Sequence, residues 1–251
     1  MIDYHCHLLP GVDDGSQDVA ESLAMAAQLL DAGFTRVYCT PHCITDLYDV
    51  PNELVRSAVK NLQFALAKAN IPLQLEVGME YYLDDNFCAR LHEPITLGDT
   101  GVLLFEMPTR GNFDLLRAAV EQIVGCGFTP LLAHPERYQF MVIRGESPNF
   151  IQRLWRSTVT NDAHHTRVVH PIVDEIIQLG CLLQGDIGSF SGLYGLDAQI
   201  AFNLFLAQGY YHCFGSDGHR KGPLRQILSG LNDETLANEC YQKRHCAEFK
   251  T

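Results

Sequence analysis

Metal-binding side chains stand at the ends of six apolar, strand-like segments of this sequence. They are His5, His7, His42, Glu80, Glu106, His134, Asp217 and His219. Imidazole nitrogens combined with carboxylate oxygens suit a borderline transition metal such as Mn, Fe or Zn, whereas Mg and Ca prefer ligands that are all oxygen. These ligands are too many for one ion, so the sequence predicts two or three divalent ions.

The spacing of the first pair supports this interpretation. His5 and His7 flank Cys6, and side chains two residues apart on a strand point to the same face. Both imidazoles can therefore reach one ion while Cys6 turns away into packing. The same argument applies to Asp217 and His219.

Segments of helical period separate the strand-like segments. The predicted strands cover 2–6, 36–41, 73–79, 101–106, 129–134, 181–187 and 211–216. Apolar residues recur at helical spacing around 23–30 and 54–66, and over 112–125, 171–180, 194–208 and 232–246. Seven strands separated by helices indicate parallel β/α units.

This order predicts an α/β fold of the β/α-barrel type, with the carboxyl ends of the strands meeting on one face. The metal centre is predicted at those ends, where residues distant in sequence point to a common centre. A chain of 251 residues suits a single domain covering 1–251. The polar, basic stretch 141–170 stands apart, and we interpret it as an insertion or a lid over the site.

Composition narrows the possible environments and partners. The formal net charge is −12, and so acidic a surface argues against sequence-independent binding to nucleic acid. No uninterrupted apolar run reaches the length of a membrane span, so no membrane insertion is expected. The nine cysteines are scattered and form no CxxC pair, which indicates reduced thiols in a cytoplasmic protein.

Other candidate residues lack the strand-end placement that makes the set above informative. Asp13-Asp14-Gly15 alone is a turn signal, and Asp162-Ala163-His164 follows no convincing strand. We interpret the remaining five histidines as structural or surface residues: His92, His165, His170, His212 and His245.

The motifs are similar in order and content to those of a known family. The chain opens with DYHCHLLPGVDDGS and continues with TPH at 40–42, GME at 78–80, LLFEMP at 103–108, AHPERY at 133–138 and GSDGH at 215–219. This series resembles the PHP (polymerase and histidinol phosphatase) superfamily, and within it the metal-dependent protein-tyrosine phosphatases of bacterial capsule and exopolysaccharide operons. The resemblance spans nearly the whole chain.

The resemblance implies a distorted (β/α)7 TIM-like barrel, the PHP fold, with a trinuclear centre that is commonly loaded with manganese. It implies hydrolysis of phosphotyrosine on a protein, in particular a bacterial tyrosine kinase of polysaccharide synthesis or export. The ligands carried over by position are His5, His7, Asp14, His42, Glu80, Glu106, His134, Asp217 and His219.

The resemblance also implies two phosphate-binding arginines. Arg137, within HPERY, matches the first. Arg220 and Arg225 compete for the second role, and Arg225 is the residue assigned to it. QGDIGSF at 184–190 departs from the Asn-Ala-Gly-Ser type of run usual in the family, and 141–170 is longer than usual. Both departures could alter substrate access.

The predicted mechanism is attack on phosphorus by a metal-activated hydroxide, with Arg137, His42 and Glu80 as catalytic residues. A cysteine phosphatase is excluded, because none of the nine cysteines has an arginine six residues later. An amidohydrolase is disfavoured, because Glu106 rather than a lysine ends the fourth strand. A small-molecule phosphatase such as histidinol-phosphate phosphatase, or a non-catalytic metal-bound regulatory module, remains the alternative. The sequence does not indicate the oligomeric state.

Overall fold

A computed structural model describes residues 1–108, 110–141 and 171–243. Short strands alternate with helices along this part of the chain. The strands are β1 (Ile2–Cys6), β2 (Arg36–Cys39), β3 (His42–Cys43), β4 (Gln74–Val77), β5 (Glu80–Tyr82), β6 (Val102–Glu106), β7 (Thr129–Ala133), β8 (Leu182–Asp186) and β9 (Cys213–Gly215). The α-helices are α1 (Val19–Asp31), α2 (Asn52–Lys68), α3 (Phe87–Arg90), α4 (Phe113–Gly125), α5 (Pro171–Gln178), α6 (Ile187–Phe190), α7 (Leu196–Ala207), α8 (Lys221–Leu228) and α9 (Glu234–Gln242).

The pairings between these strands are all parallel, which confirms the predicted α/β class. One sheet has the order β1-β2-β4 and the other has the order β3-β5-β6-β7-β8-β9. A bridge between Cys6 and Gly218 connects the segment after β9 to β1. The carboxyl ends of parallel strands lie at the same edge of a sheet, so this pairing gathers the strand-end residues.

The strands predicted over 36–41 and 73–79 end early, at Cys39 and Val77, and a second short strand begins just after each predicted range. Thr40 and Pro41 separate β2 from β3, and proline has no N–H to donate to a sheet. Gly78 and Met79 separate β4 from β5, and a Cβ at position 78 would lie 2.8 Å from the Thr40 methyl carbon. The two breaks lie side by side, so β2 pairs with β4 before them and β3 pairs with β5 after them.

Helix ends follow ordinary capping chemistry. The Asp18 side chain accepts a hydrogen bond from the Glu21 N–H at the start of α1, and the Asn112 side chain does the same for Leu115 in α4. Each long helix buries one face, as in α2, where Val55, Val59, Leu62 and Leu66 pack against the sheet side. The helices predicted from apolar spacing are thus present, with small shifts at their ends.

The core lies between the sheets and the helices, and the strands are buried on both faces. Cys6 is fully buried among apolar residues of this core, so it does turn away from its histidine neighbours as predicted. Among the described helices, none combines the length and the hydropathy required to cross a bilayer.

Some predictions fall outside the described residues. These are the role of 142–170, the Asp162–His164 motif, His165, His170 and His245, and the end of the helix predicted over 232–246. The described part of that helix ends at Gln242.

Candidate metal centre

The structure brings all nine predicted ligands together at the carboxyl ends of the strands. Three overlapping groups have ligand atoms within 4.8 Å of one another. The groups are His5, His7, Glu80 and Asp217; His42, Glu80 and Glu106; and His7, Asp14, His42 and His219. His134 adjoins them, with its Nε2 3.2 Å from Glu80 Oε1. The spatial convergence expected of strand ends is therefore observed.

The first group is the most deeply buried. His5 Nε2 lies 3.2 Å from Glu80 Oε2 and 3.3 Å from Asp217 Oδ1. His7 Nε2 lies 3.2 Å from the same Asp217 oxygen and 3.1 Å from His5 Nε2. Four potential ligand atoms therefore surround one point, and solvent reaches hardly any of them.

Glu80 connects the first group to the second. Its Oε2 also lies 2.9 Å from His42 Nδ1, and Glu106 Oε1 lies 3.2 Å from that same nitrogen. Glu80 therefore belongs to two of the three ligand groups.

Asp14 closes the third group from the solvent side. Its Oδ1 lies 3.6 Å from His42 Nε2 and 3.5 Å from His219 Nε2, and its side chain is 51% exposed. The imidazoles of His7 and His219 stack with ring centroids 3.8 Å apart. This group forms the outer rim of the centre.

The donor set fits divalent cations. Glu80 Oε2 and Asp217 Oδ1 are buried oxygens that have no hydrogen-bond partner among the described residues, although imidazole nitrogens surround both. A buried carboxylate oxygen without a partner is costly unless a cation balances it. His134 and Asp217 also have left-handed backbones, with φ of 36° and 49°. Such strain in residues other than glycine is typical of functional sites.

The pKa shifts of His42 and His5 also indicate that the cluster favours positive charge. Burial lowers the pKa of His42, but the charge of Glu80 and the hydrogen bonds to Glu80 and Glu106 together raise it to about 10. Burial also opposes the charged form of His5, yet Glu80 and Asp217 raise its pKa. At the outer rim the pKa of His219 is lowered by burial and then by the neighbouring His7.

Two residues that the sequence analysis did not select orient the inner histidines. Asp13 Oδ2 accepts a hydrogen bond from His7 Nδ1 at 2.7 Å, and Gln184 Oε1 accepts one from His5 Nδ1 at 2.9 Å. Because these oxygens accept, the proton stays on Nδ1 and the Nε2 lone pair faces the centre. Asp13 lies in a motif that by itself indicates only a turn, and no periodicity or spacing in the sequence points to Gln184 as a partner of His5.

Arg137 lies beside the centre, in a short 3₁₀ turn (Pro135–Arg137) that follows His134. Its Nη2 donates to Asp186 Oδ2 and, at 2.7 Å, to Asp217 Oδ2. The guanidinium carbon is 3.5 Å from the centroid of the Tyr194 ring. Asp217 thus contacts Arg137 through one oxygen and the histidines through the other.

The run QGDIGSF, noted above as a departure from the family pattern, supports this arrangement. Gln184 orients His5, and Asp186 holds Arg137 while its Oδ1 caps α6 by accepting from the Gly188 N–H at 2.7 Å. Glu136 Oε1 accepts a hydrogen bond from the backbone N–H of Asp186 at 3.0 Å. The run therefore contributes directly to the site.

The structure does not bring the second predicted arginine to the centre. Arg225 is exposed on α8, whose buried side consists of Leu224, Ile227 and Leu228. Its rival Arg220 donates through Nε to Glu21 Oε1 at 3.0 Å.

A cavity of about 350 Å³ opens onto the centre. Its lining residues are His42, Glu106, His134, Arg137, Leu193, Tyr194, Asp217, His219, Pro223 and Ile227. This volume suits a small organic phosphate.

A parallel α/β fold whose strand ends carry such a cluster is the arrangement of a metal-dependent hydrolase. A family model described as "Capsular polysaccharide synthesis, CpsB/CapC" matches residues 1–160. The chain belongs to this CpsB/CapC family, which confirms the resemblance to capsule-type phosphatases inferred from the motifs.

The names of similar proteins agree with this assignment. The chain is 30% identical over 228 residues to tyrosine-protein phosphatase YwqE of Bacillus subtilis, covering 87% of this chain and 77% of that protein. It is 25% identical over 166 residues to tyrosine-protein phosphatase CpsB of Streptococcus agalactiae, covering 65% and 68%.

A crystal structure from work on YwqE of Bacillus subtilis and CpsB of Streptococcus pneumoniae, described as unique metal-dependent tyrosine phosphatases, superposes with a TM-score of 0.75. The match covers all of this chain and 96% of that one, at 25% identity. The two chains therefore share their fold.

Proposed function

We propose that this protein is a metal-dependent phosphohydrolase that removes phosphate from phosphotyrosine on proteins. The observation that carries the proposal is a cavity lined by three histidines, Glu106, Asp217 and Arg137 that adjoins the buried ligand groups. In these groups the buried oxygens Glu80 Oε2 and Asp217 Oδ1 lack a hydrogen-bond partner among the described residues. The names of the relatives, all tyrosine phosphatases, support the same substrate class.

The nine predicted ligands would hold two or three divalent ions, with manganese as the expected metal and iron or zinc as the alternatives. The three overlapping ligand groups support this number. Such ions supply Lewis acidity, which lowers the pKa of coordinated water and neutralises charge on the phosphoryl oxygens.

The chain's own residues would orient the substrate. Arg137 lines the cavity and its side chain is 20% exposed, so a guanidinium N–H can donate to a phosphoryl oxygen while Nη2 stays with Asp186 and Asp217. Glu80 and His42 complete the proposed catalytic set. Each belongs to two of the three ligand groups, and the contact between them joins those groups. A phenol of pKa about 10 leaves more readily than an alcohol, so an aryl phosphate needs little help from a general acid.

We also propose that the seven β/α units form one distorted barrel of the PHP type, within a single domain. If each broken strand counts as one position, the pairings run from β1 through β2/β3, β4/β5, β6, β7 and β8 to β9. The Cys6–Gly218 bridge between the ends of this series supports closure.

The expected protein substrate is a tyrosine kinase of capsule or exopolysaccharide synthesis, since the family model is that of capsular polysaccharide synthesis. A cytoplasmic location is supported by the eight described cysteines, which are all free thiols.

The test is an assay of chelator-treated protein on para-nitrophenyl phosphate, a phosphotyrosine peptide, a phosphoserine peptide and histidinol phosphate. Mn, Fe, Zn, Co and Mg are added back separately. The variants are His134→Ala and Arg137→Ala, and their controls are His92→Ala and Arg56→Ala, two exposed residues away from the cavity. Bound metal is measured by elemental analysis for each protein.

We expect metal-restored hydrolysis of phosphotyrosine that fails in His134→Ala and Arg137→Ala, with metal content reduced only in His134→Ala. Histidinol phosphate as the best substrate would move the protein to the small-molecule phosphatases. No turnover with any metal, despite bound ions, would support the regulatory module. Arg225→Ala tests the second arginine, and an unchanged KM would remove Arg225 from the substrate site.

A further inference from the structure

The cavity at the candidate metal centre has two chemically distinct halves. One half consists of ligand residues and Arg137. The other half is an apolar wall, which we define as Leu193, Tyr194, Pro223 and Ile227. The wall comes from the α6–α7 connection and from α8 rather than from strand ends. Nothing in the metal chemistry requires apolar side chains there.

The Tyr194 ring has a fixed position in this wall. One face covers the guanidinium of Arg137, with 3.5 Å between its carbon and the ring centroid. A Cβ added at Gly188 would lie 2.9 Å from Tyr194 Cε2 and 3.3 Å from Ile227 Cγ1. Glycine at position 188 therefore allows the close packing that holds the ring in place.

Part of the wall faces the open cavity rather than the core. Ile227 is almost fully buried and anchors α8, whereas Tyr194 is 38% exposed and Leu193 is partly exposed. Pro223 stands one helical turn before Ile227 and is also exposed. Exposed apolar groups beside a polar centre are suited to a ligand that has both a charged and an apolar part.

We propose that this apolar wall is the subsite for the phenyl ring of phosphotyrosine and makes the centre selective for aryl over alkyl phosphates. The proposal rests on the proposed phosphatase function. A phosphate placed between the ligand residues and Arg137 directs its ester group toward the wall, because both halves line one cavity. A phenyl ring buries apolar area there, whereas the single methylene of phosphoserine buries little.

The test measures binding instead of turnover, because aryl phosphates also react faster for chemical reasons. Phenylphosphonate and methylphosphonate carry the same charged group and cannot be hydrolysed at an ester bond. Their affinities for the Mn-loaded protein are measured by titration calorimetry. We expect wild-type protein to prefer phenylphosphonate by about tenfold, as burial of part of one ring predicts.

Three variants locate the preference. Leu193→Asn is expected to reduce it to about twofold, since a polar amide replaces part of the wall. Leu196→Asn is the matched control, because Leu196 is 68% exposed nearby and does not line the cavity. Tyr194→Leu keeps the wall apolar but removes the ring from Arg137, so both affinities should fall together while their ratio persists.

Thermal melts confirm that each variant is folded. A wild-type ratio near one, an unchanged ratio in folded Leu193→Asn, or no binding of either probe would overturn the subsite. The proposed function is judged separately, by hydrolysis of the phosphotyrosine peptide. Hydrolysis without a phenyl preference would remove the subsite alone, and a phenyl preference without hydrolysis would remove the activity alone.

Discussion

Histidines lie at both ends of the parallel sheets, and the pKa values of two of them, His42 and His212, shift in opposite directions. At the carboxyl ends His42 lies among carboxylates, and its pKa rises to about 10 because Glu80 and Glu106 together outweigh the effect of burial. At the amino end of β9, burial lowers the pKa of His212 to about 4, and the positive charge of Lys243 adds to the effect. The Nδ1 of His212 accepts the Leu183 N–H at 3.1 Å.

This difference shows that residue type alone does not make a ligand. His42 has two carboxylates within 3.2 Å of one ring nitrogen, and this concentration of negative charge favours a bound cation. His212 has a backbone donor and a lysine nearby, so it acts as a neutral structural acceptor. Placement at the carboxyl end of a strand distinguishes His42 from His212 already in the sequence, and the variants below test that distinction.

The largest effect is expected from Glu80→Gln, which removes a charge shared by two ligand groups but keeps the shape. We expect kcat/KM to fall by about a hundredfold or more, the size typical of losing a major electrostatic contribution. Bound metal should fall as well, as measured by elemental analysis. The exposed Glu53→Gln in α2 is the control. Full metal content with full activity would show that Glu80 is not a ligand.

A smaller effect is expected from Gln184→Met, which leaves His5 without its orienting acceptor. Loss of such a partner weakens metal affinity by about tenfold to a hundredfold. Competition with a fluorescent chelator measures this affinity, and the exposed Gln122→Met is the control. Affinity equal to that of wild type would mean that packing alone orients His5.

Asp186→Asn is expected to act on substrate binding instead of on the metals. The Asn oxygen can still cap α6, but the charge that holds Arg137 is lost. A charge-assisted hydrogen bond exceeds a neutral one by about 1 kcal/mol, so KM should rise about fivefold with metal content unchanged. Asp197→Asn, an exposed carboxylate at the start of α7, should leave KM as it is. A change in kcat alone would contradict this positioning role.

The smallest effect concerns the amino end of the sheets. Because the folded pKa of His212 is about 4 and its ordinary value is 6.5, the unfolded chain takes up the proton first as the pH falls. The contribution of His212 to the free energy of unfolding is fully present above pH 6.5 and is lost between pH 6.5 and 4.

His212→Asn keeps an acceptor for Leu183 and removes the titration. Between pH 7.5 and 5.5, wild type should lose about 1 kcal/mol more unfolding free energy than the variant. Urea unfolding of chelator-treated protein measures both. Equal losses in the two proteins would show that His212 titrates normally.

The sequence was informative where the signal is local. Strand positions follow from short apolar runs, and a ligand-type residue at the end of six of the seven runs identifies the carboxyl edge. Eight of the nine predicted ligands were found in this way, and Asp14 came from the motif resemblance. The breaks at Pro41 and Gly78 were missed because a proline or glycine within an apolar run also fits an irregular but continuous strand.

Only the tertiary structure decided the supporting contacts. Gln184 reaches His5 across 179 residues of chain, and Arg137 meets Asp217 across 80. No local period or spacing encodes which side chains meet over such separations, because that depends on how the strands pair and twist. The sequence by itself therefore determined the parallel α/β class and the chemistry of the strand ends. The tertiary structure brought Asp13, Gln184 and Asp186 into contact with His7, His5 and Arg137. It also placed the apolar wall opposite the ligands.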